Sequence, residues 1–296
     1  MEDDYQQMFG RNIGNITEQE QDKLRVTTIA VAGIGGVGGA TLFNLVRIGI
    51  GGFKIADPED FAYSDLNRQQ GSGYGNIGSK KIEVIQQALK SINPHISIDA
   101  FPEGLTENNL KDFLEGVSLV IDGLDFSCFS IRKSLFDACK KKGLYILSCP
   151  IFGFGTSLAV FSPQGPSFEQ FFGPIPQKID AKYAMNFGRF FFPSFPKYIN
   201  LAVYFEAIQK NKPIPSFATS CNLSGAVTAA ETVFILLNRK KPICIPMIRH
   251  YDLFDGKIVV RKSSGKKTNF LKKRILRMVL RRRKELAPYK NFIDKL

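Results

Sequence analysis

The sequence predicts an α/β fold: a Rossmann-like, mostly parallel sheet with helices on both faces, extended by antiparallel strands in the C-terminal half. Three observations predict it. Short β-branched or apolar runs alternate with helical periodicity from residue 26 to residue 148, the pattern of parallel strands joined by crossover helices. The first strand runs into a glycine-rich turn that opens a helix. After Pro150 the pattern gives way to "SLAVF" and then to a hairpin signal, "HYDLF-DG-KIVVR".

The elements follow in order. Val26–Ala32, "VTTIAVA", is β-branched and ends at glycines, so it reads as a buried strand. From Gly38 to Ile48, Leu42, Leu45, Val46 and Ile48 recur at helical spacing. "FKIA" (53–56) is a strand, and 79–92 is a helix stopped by Asn93-Pro94. "ISIDA" (96–100), "LVID" (119–122) and "YILS" (145–148) are strands, with helices over 107–115 and 129–142 between them. Residues 162–217 are rich in Phe, Pro and Gly, and are expected to be a long irregular crossover excursion. "SGAVTAAETVFILLNR" (224–239) reads as a buried helix.

Four regions are expected: an N-terminal arm with an arginine motif (1–25), a nucleotide-binding part (26–155), a substrate and crossover part continuing the same sheet (156–260), and a basic amphipathic tail (261–296). The tail holds 14 Lys/Arg against 2 Asp/Glu, whereas the rest holds 26 against 25. The net charge of +13 is therefore almost all in the tail. Its charge suits an acidic carrier protein, RNA or another anionic surface, or a solvated face on a docked helix striped by Leu271, Ile275, Met278 and Val279. The N-terminus has no apolar signal core, and no long uncharged apolar run predicts a transmembrane segment. The five cysteines are odd in number and form no C-x-x-C pair, so no zinc is expected and a cytoplasmic location is.

The chemistry concentrates near the first turn. Gly33, Gly35 and Gly38 form Gly-x-Gly-x-x-Gly between strand and helix. A Cβ would block both the turn and a phosphate's approach to the backbone, and the helix start offers free N–H groups. Asp57 ends the second strand, where an acid can accept from ribose hydroxyls. A dinucleotide site for a hydride-transfer enzyme is the default reading, but three features oppose it. Gly36 adds a fourth glycine. "LNRQ" (66–69), with Lys80 and Lys81 beyond it, puts cations beside the phosphates. Such cations serve an enzyme that cleaves a triphosphate and must stabilise a leaving pyrophosphate. Asp122 and Asp125, at the end of the "LVID" strand, offer the carboxylate that a magnesium ion shares with phosphate oxygens and water.

In this ordered set the sequence resembles the ThiF/MoeB superfamily, the prokaryotic relatives of ubiquitin-activating enzymes. The resemblance rests on "FGRN" (9–12), "GIGGVG" (33–38), "IADPEDFAYSDLNRQ" (55–69), "GSKKIEV" (78–84), "INPHI" (92–96), "LVIDGLD" (119–125), "GAVTAAETVFILL" (225–237) and "HYDLFDG" (250–256). It implies an ATP-dependent adenylyltransferase that activates a carboxylate, usually the C-terminus of a ubiquitin-like sulfur carrier or a peptide, and releases pyrophosphate. It assigns the glycine loop (Gly33, Gly35, Gly36, Gly38), Asp57, Asn67, Arg68, Gln69 and Lys81 to ATP. Arg68 and Lys81 would stabilise the leaving group and Asp125 would hold Mg²⁺. Arg11 would reach the other subunit's nucleotide in a homodimer.

The sequence departs from the family pattern at Asp65 and Phe126, where asparagines are usual, and lacks the two zinc-binding cysteine pairs. Residues 150–220 contain no cysteine, so an adenylation-only enzyme is expected, with Cys221 a core residue rather than a nucleophile. The alternatives are an enzyme like the tRNA threonylcarbamoyladenosine dehydratases, a non-catalytic nucleotide-binding partner subunit, and an NAD(P)-dependent oxidoreductase.

Overall fold

A computed structural model describes residues 4–295, apart from 178, 180, 193–195, 197, 211, 264, 266–277 and 279. Of the apolar stripe expected in the tail, Leu271, Ile275 and Val279 lie outside the described residues.

The chain opens with α1 (Asp4–Phe9), a 3₁₀ turn (Gly10–Asn12) and α2 (Glu18–Arg25). Thr17 caps α2: its hydroxyl accepts from the Glu20 amide, and the Glu20 carboxylate accepts from the Thr17 amide. There follow β1 (Thr28–Ala32), α3 (Gly36–Ile48), β2 (Gly52–Ala56), α4 (Lys81–Ile92), β3 (Ser97–Phe101), α5 (Leu110–Phe113), β4 (Leu119–Asp122), α6 (Phe129–Lys142) and β5 (Ile146–Ser148). β1 begins two residues later than the apolar pattern suggests. Val26 is 82% exposed and terminates α2 instead.

Strands β1 to β5 pair in parallel in the order β3-β2-β1-β4-β5. β7 (Gly155–Phe161), β8 (Met247–Asp252) and β9 (Lys257–Lys262) continue the sheet antiparallel, and the short β6 (Ile151–Phe152) pairs with β7. Alternate residues feed two cores, as the period of two requires. Ile29, Val31, Leu119, Ile121, Leu158 and Val160 face α3, α4 and α10 (Ala218–Leu236). Ala30, Val120, Ala159 and Phe161 face α5, α6 and the helices after β7. Gly225 lets α10 lie against α3; a Cβ there would stand 2.6 Å from the Ala40 carbonyl carbon.

The segment 162–217 is not the irregular excursion its sequence suggests. It holds α7 (Phe168–Phe172), α8 (Ala181–Phe191) and α9 (Leu201–Gln209). Phe168, Phe171, Phe172, Phe187, Phe190 and Phe191 are all buried, with ring centroids as close as 4.6 Å between Phe172 and Phe187. Each such pair adds about 0.5–1.5 kcal/mol beyond simple burial. The chain ends in a 3₁₀ segment (Lys284–Tyr289) and α11 (Lys290–Lys295). Leu280, Leu286 and Ile293 bury themselves against Ile199, Leu201 and Phe205.

Candidate active site

The strand order reverses between β1 and β4, and a crevice opens outside their carboxyl ends, the usual ligand position in such sheets. Here it is a cavity of about 2050 Å³. Its nucleotide-like half is built from the β1–α3 turn, the end of β2 with the loop after it, and the end of β4.

Gly33 has φ +80°, and a Cβ on it would stand 2.4 Å from the Gly123 carbonyl oxygen, so only glycine fits. A Cβ on Gly38 would strike the Gly33 oxygen at 1.9 Å. The turn is thus pressed against β4, and α3 starts at Gly36 with its first N–H groups facing the crevice. Asp57 clips the turn in place. Its Oδ2 accepts from the Ile34 amide at 2.9 Å and its Oδ1 from the Glu59 amide at 3.0 Å. Each oxygen keeps a second acceptor position, as a ribose contact requires. Burial pushes the Asp57 carboxyl up, against the pull of those two amides and of Lys81.

Gly33, Gly35, Gly36, Asp57, Asn67, Arg68, Gln69 and Asp125 all line the cavity. Arg68 donates to the Ser64 carbonyl and to Asn67 Oδ1, both at 2.9 Å, and its aliphatic stem passes beside Gly36. Asn67 ties this loop to the start of α10 by donating to the Ser216 carbonyl at 3.1 Å. Gln69 is buried beside Gly35. Its Nε2 donates to Asp65 at 2.6 Å, while its buried Oε1 has no partner among the described residues.

Lys81 stands behind this wall. It is 1% exposed and ion-paired to Glu59 at 2.5 Å and Asp65 at 3.4 Å. Burial pulls its pKa down, but Glu59, Asp57 and Asp65 outweigh that and leave it above its ordinary value, so the group stays an ammonium. Asp65 gathers the set: besides Lys81 and Gln69 it holds the Ala62 amide at 3.0 Å and lies 3.6 Å from Arg68. A carboxylate there holds two cations where an amide would hold neither by charge. Glu59 and the ionic role of Asp65 escaped the sequence reading, although Glu59 lies only two residues beyond Asp57.

Asp125 opens onto the crevice. Burial by the surrounding walls, reinforced by the Glu59 charge, pushes its carboxyl up, with Lys81, Arg132 and Arg68 opposing. Asp122 is structural. Its carboxylate takes Arg132 Nε at 3.0 Å and Ser148 Oγ at 3.0 Å. Arg132 also donates to the Leu124 and Asp125 carbonyls, so it fixes the backbone that presents Asp125. No cluster of three or more metal-ligating side chains occurs among the described residues. One open carboxylate fits a magnesium ion that completes its shell with phosphate and water.

Gly38 lies beneath the turn, and Arg11 sits exposed on the Gly10–Asn12 turn, outside the cavity lining. Cys221 does line the cavity, but it is 1% exposed and burial pushes its thiol up to about 11, with Arg68 opposing. It is a thiol at neutral pH, which fits a packing role better than that of a nucleophile. No helix of the described residues is long and apolar enough to cross a membrane.

Comparison with known proteins agrees with this architecture. The chain is 34% identical over 148 residues to the tRNA threonylcarbamoyladenosine dehydratase of Haemophilus influenzae, covering 49% of this chain and 56% of that protein. It is 30% identical over 151 residues to the sulfur carrier protein ThiS adenylyltransferase of Escherichia coli, covering 51% and 59%. This chain thus spans little more than half the length of these relatives. The fold matches the crystal structure of E. coli MccB with ATP at a TM-score of 0.62 and 18% identity, covering 86% of this chain and 69% of that one. The ThiF family model matches residues 9–271, and this chain belongs to the ThiF family.

Proposed function

We propose that the protein is an ATP-dependent adenylyltransferase that activates a carboxylate and releases pyrophosphate. The observation that carries this is the pairing of an anion-ready glycine turn with Arg68, Lys81 and the open carboxylate Asp125 around one crevice. In the reaction a substrate carboxylate oxygen bonds to the α-phosphorus of ATP. The bond from that phosphorus to the bridging oxygen breaks, and its electron pair leaves with pyrophosphate. No general base is needed, because the carboxylate is ionised above about pH 5.

The residues' tasks follow from their places. The turn and the start of α3 receive phosphate through backbone N–H groups. Asp57 takes the ribose. Asn67, Arg68 and Gln69 form the wall along the phosphates, and Gln69 Oε1 is a buried acceptor awaiting a donor. Lys81 contributes its positive field from behind that wall, where low dielectric makes it count. Asp125 would hold the magnesium ion that neutralises the departing charge. Arg11 would act on the crevice of a second copy in a homodimer.

Two carboxylates are in view. The ThiS adenylyltransferase relative points to the C-terminus of a ubiquitin-like carrier or a peptide. The dehydratase relative, with the basic tail, favours one borne on tRNA as the second reading. ATP–pyrophosphate exchange with Mg²⁺ and each candidate acceptor tests the proposal. Exchange that needs an acceptor, Lys81 and Asp125 supports it; preferential binding of NAD⁺ over ATP would sink it.

A further inference from the structure

The cavity is far larger than its nucleotide half, and its charge is segregated. All six carboxylates in its lining, from Asp57 to Asp125, belong to the nucleotide half. Among the described residues, the remaining wall, built from β6, α8, α9, the loop to α10 and the end of β9, contains no acid. Four cations line it instead: Arg189, Lys212, Arg261 and Lys262. Between them lie apolar and aromatic side chains, among them Phe126, Phe187, Phe191, Phe192 and Phe205.

Two of the cations are held in surroundings that do not suit them. Arg261 pairs across the sheet with Ile248, which is fully buried, so its side chain shares that inner face. Its Nη2 donates to the Phe190 carbonyl at 3.1 Å, and its buried Nε has no partner among the described residues. Arg189, one residue before Phe190, makes no ion pair among the described residues. Burial lowers both guanidinium pKa values from their ordinary value, with no opposing carboxylate among the described residues. Both residues are half-buried, and a partly desolvated charge without a carboxylate partner is stabilised when an anion completes it.

We propose that this chamber receives a polypeptide C-terminus that carries an acidic side chain close to the carboxylate being activated, and that Arg189 and Arg261 hold that side chain. The assignment builds on the adenylation reading and narrows its substrate class. Planar guanidinium forks match a carboxylate, and the apolar walls take the neighbouring residues. RNA fits the chamber less well. Its rings at Phe126, Phe187 and Phe191 pack on one another edge-on or tilted rather than standing apart as a platform for bases. The basic tail adds attraction for an acidic partner at longer range.

The test uses the full chain and fluorescein-labelled short peptides with free C-termini. One pool carries a single Asp or Glu near the C-terminus, and a matched pool carries Asn or Gln there. Fluorescence anisotropy is expected to show the acidic pool binding at least about ten-fold tighter. Arg189→Gln and Arg261→Gln should each remove most of that preference, and Arg261→Lys should restore part of it. Thermal melts and binding of a fluorescent ATP analogue check that the variants fold. Equal binding of the two pools overturns the proposal. So does tighter binding of an RNA oligonucleotide that depends on the same two arginines. Pyrophosphate exchange, run in parallel, separates the two readings. Exchange without acid preference overturns the chamber assignment alone. Acid-selective binding without exchange upholds the chamber and removes the adenylation reading.

Discussion

At the scale of single residues, the crevice is an arrangement of charges that check one another. Lys81 is held by two carboxylates rather than left free. Lys81→Ala is expected to lower ATP–pyrophosphate exchange about a hundred-fold, the range for removing one preorganised charge-stabilising group. Asp125→Ala should do the same and should also abolish the response to added Mg²⁺. Asp65→Ala strands a buried ammonium with one remaining exposed partner. A loss of about 3 kcal/mol, read as a melting temperature lower by about 6–12 °C, is expected. The pH dependence follows from Asp57 and Asp125, both raised above the ordinary aspartate value of 3.8. The proposed ribose and magnesium roles need both ionised, so on that reading the acid limb of exchange should lie above the usual carboxylate range. Stability runs the other way. The folded protein binds these protons more tightly than the unfolded chain, so lowering the pH from above the raised values towards 3.8 favours the folded state at these two sites. A rate profile and a set of melts across that window measure both.

At the scale of elements, the glycine turn and the aromatic helices depend on different kinds of information. Gly33→Ala places a Cβ against the Gly123 carbonyl at a positive φ, and ATP binding should be lost in a titration while the far elements stay folded. Phe187→Ala removes the ring shared by α7, α8 and Phe129, and is expected to cost about 3–5 kcal/mol in denaturant unfolding. The first feature was legible in the sequence because turn chemistry is local: glycines, a strand before them and Asp57 after them. The strands β2, β4 and β7 were legible as apolar runs bounded by turns, and the hairpin of β8 and β9 by its Asp-Gly turn. The helices α7, α8 and α9 were not. Prolines and glycines cut their periodicity into pieces too short to read, and they are held by rings that meet only in the folded chain. The same reason hid the Asp122–Arg132 and Asp65–Lys81 pairs: each residue was visible, but only tertiary structure sets partners.

At the scale of the whole molecule, the sheet's two halves divide the labour. The parallel half carries the nucleotide features and the antiparallel half carries the cationic chamber, and the crevice joins them. Arg11 extends the question to two molecules. If Arg11 serves a partner's crevice, then Arg11→Ala and Lys81→Ala proteins, each inactive alone, should regain about a quarter of the exchange rate when mixed and allowed to re-associate, since in a random mixture only that share of sites is intact. No regain on mixing would show that Arg11 does not serve a partner's crevice.

The C-terminal segment has one more consequence. Leu201 and Phe205 of α9 line the chamber, and they also pack on Leu280, Leu286 and Ile293. Arg283 braces the same place through the carbonyls of Pro196 and Ile199. The segment is therefore a buttress for one wall of the chamber, and none of its described residues lines the nucleotide half. A protein shortened to end at Lys262 should keep its grip on ATP and lose its discrimination among acceptors, becoming more permissive rather than merely slower.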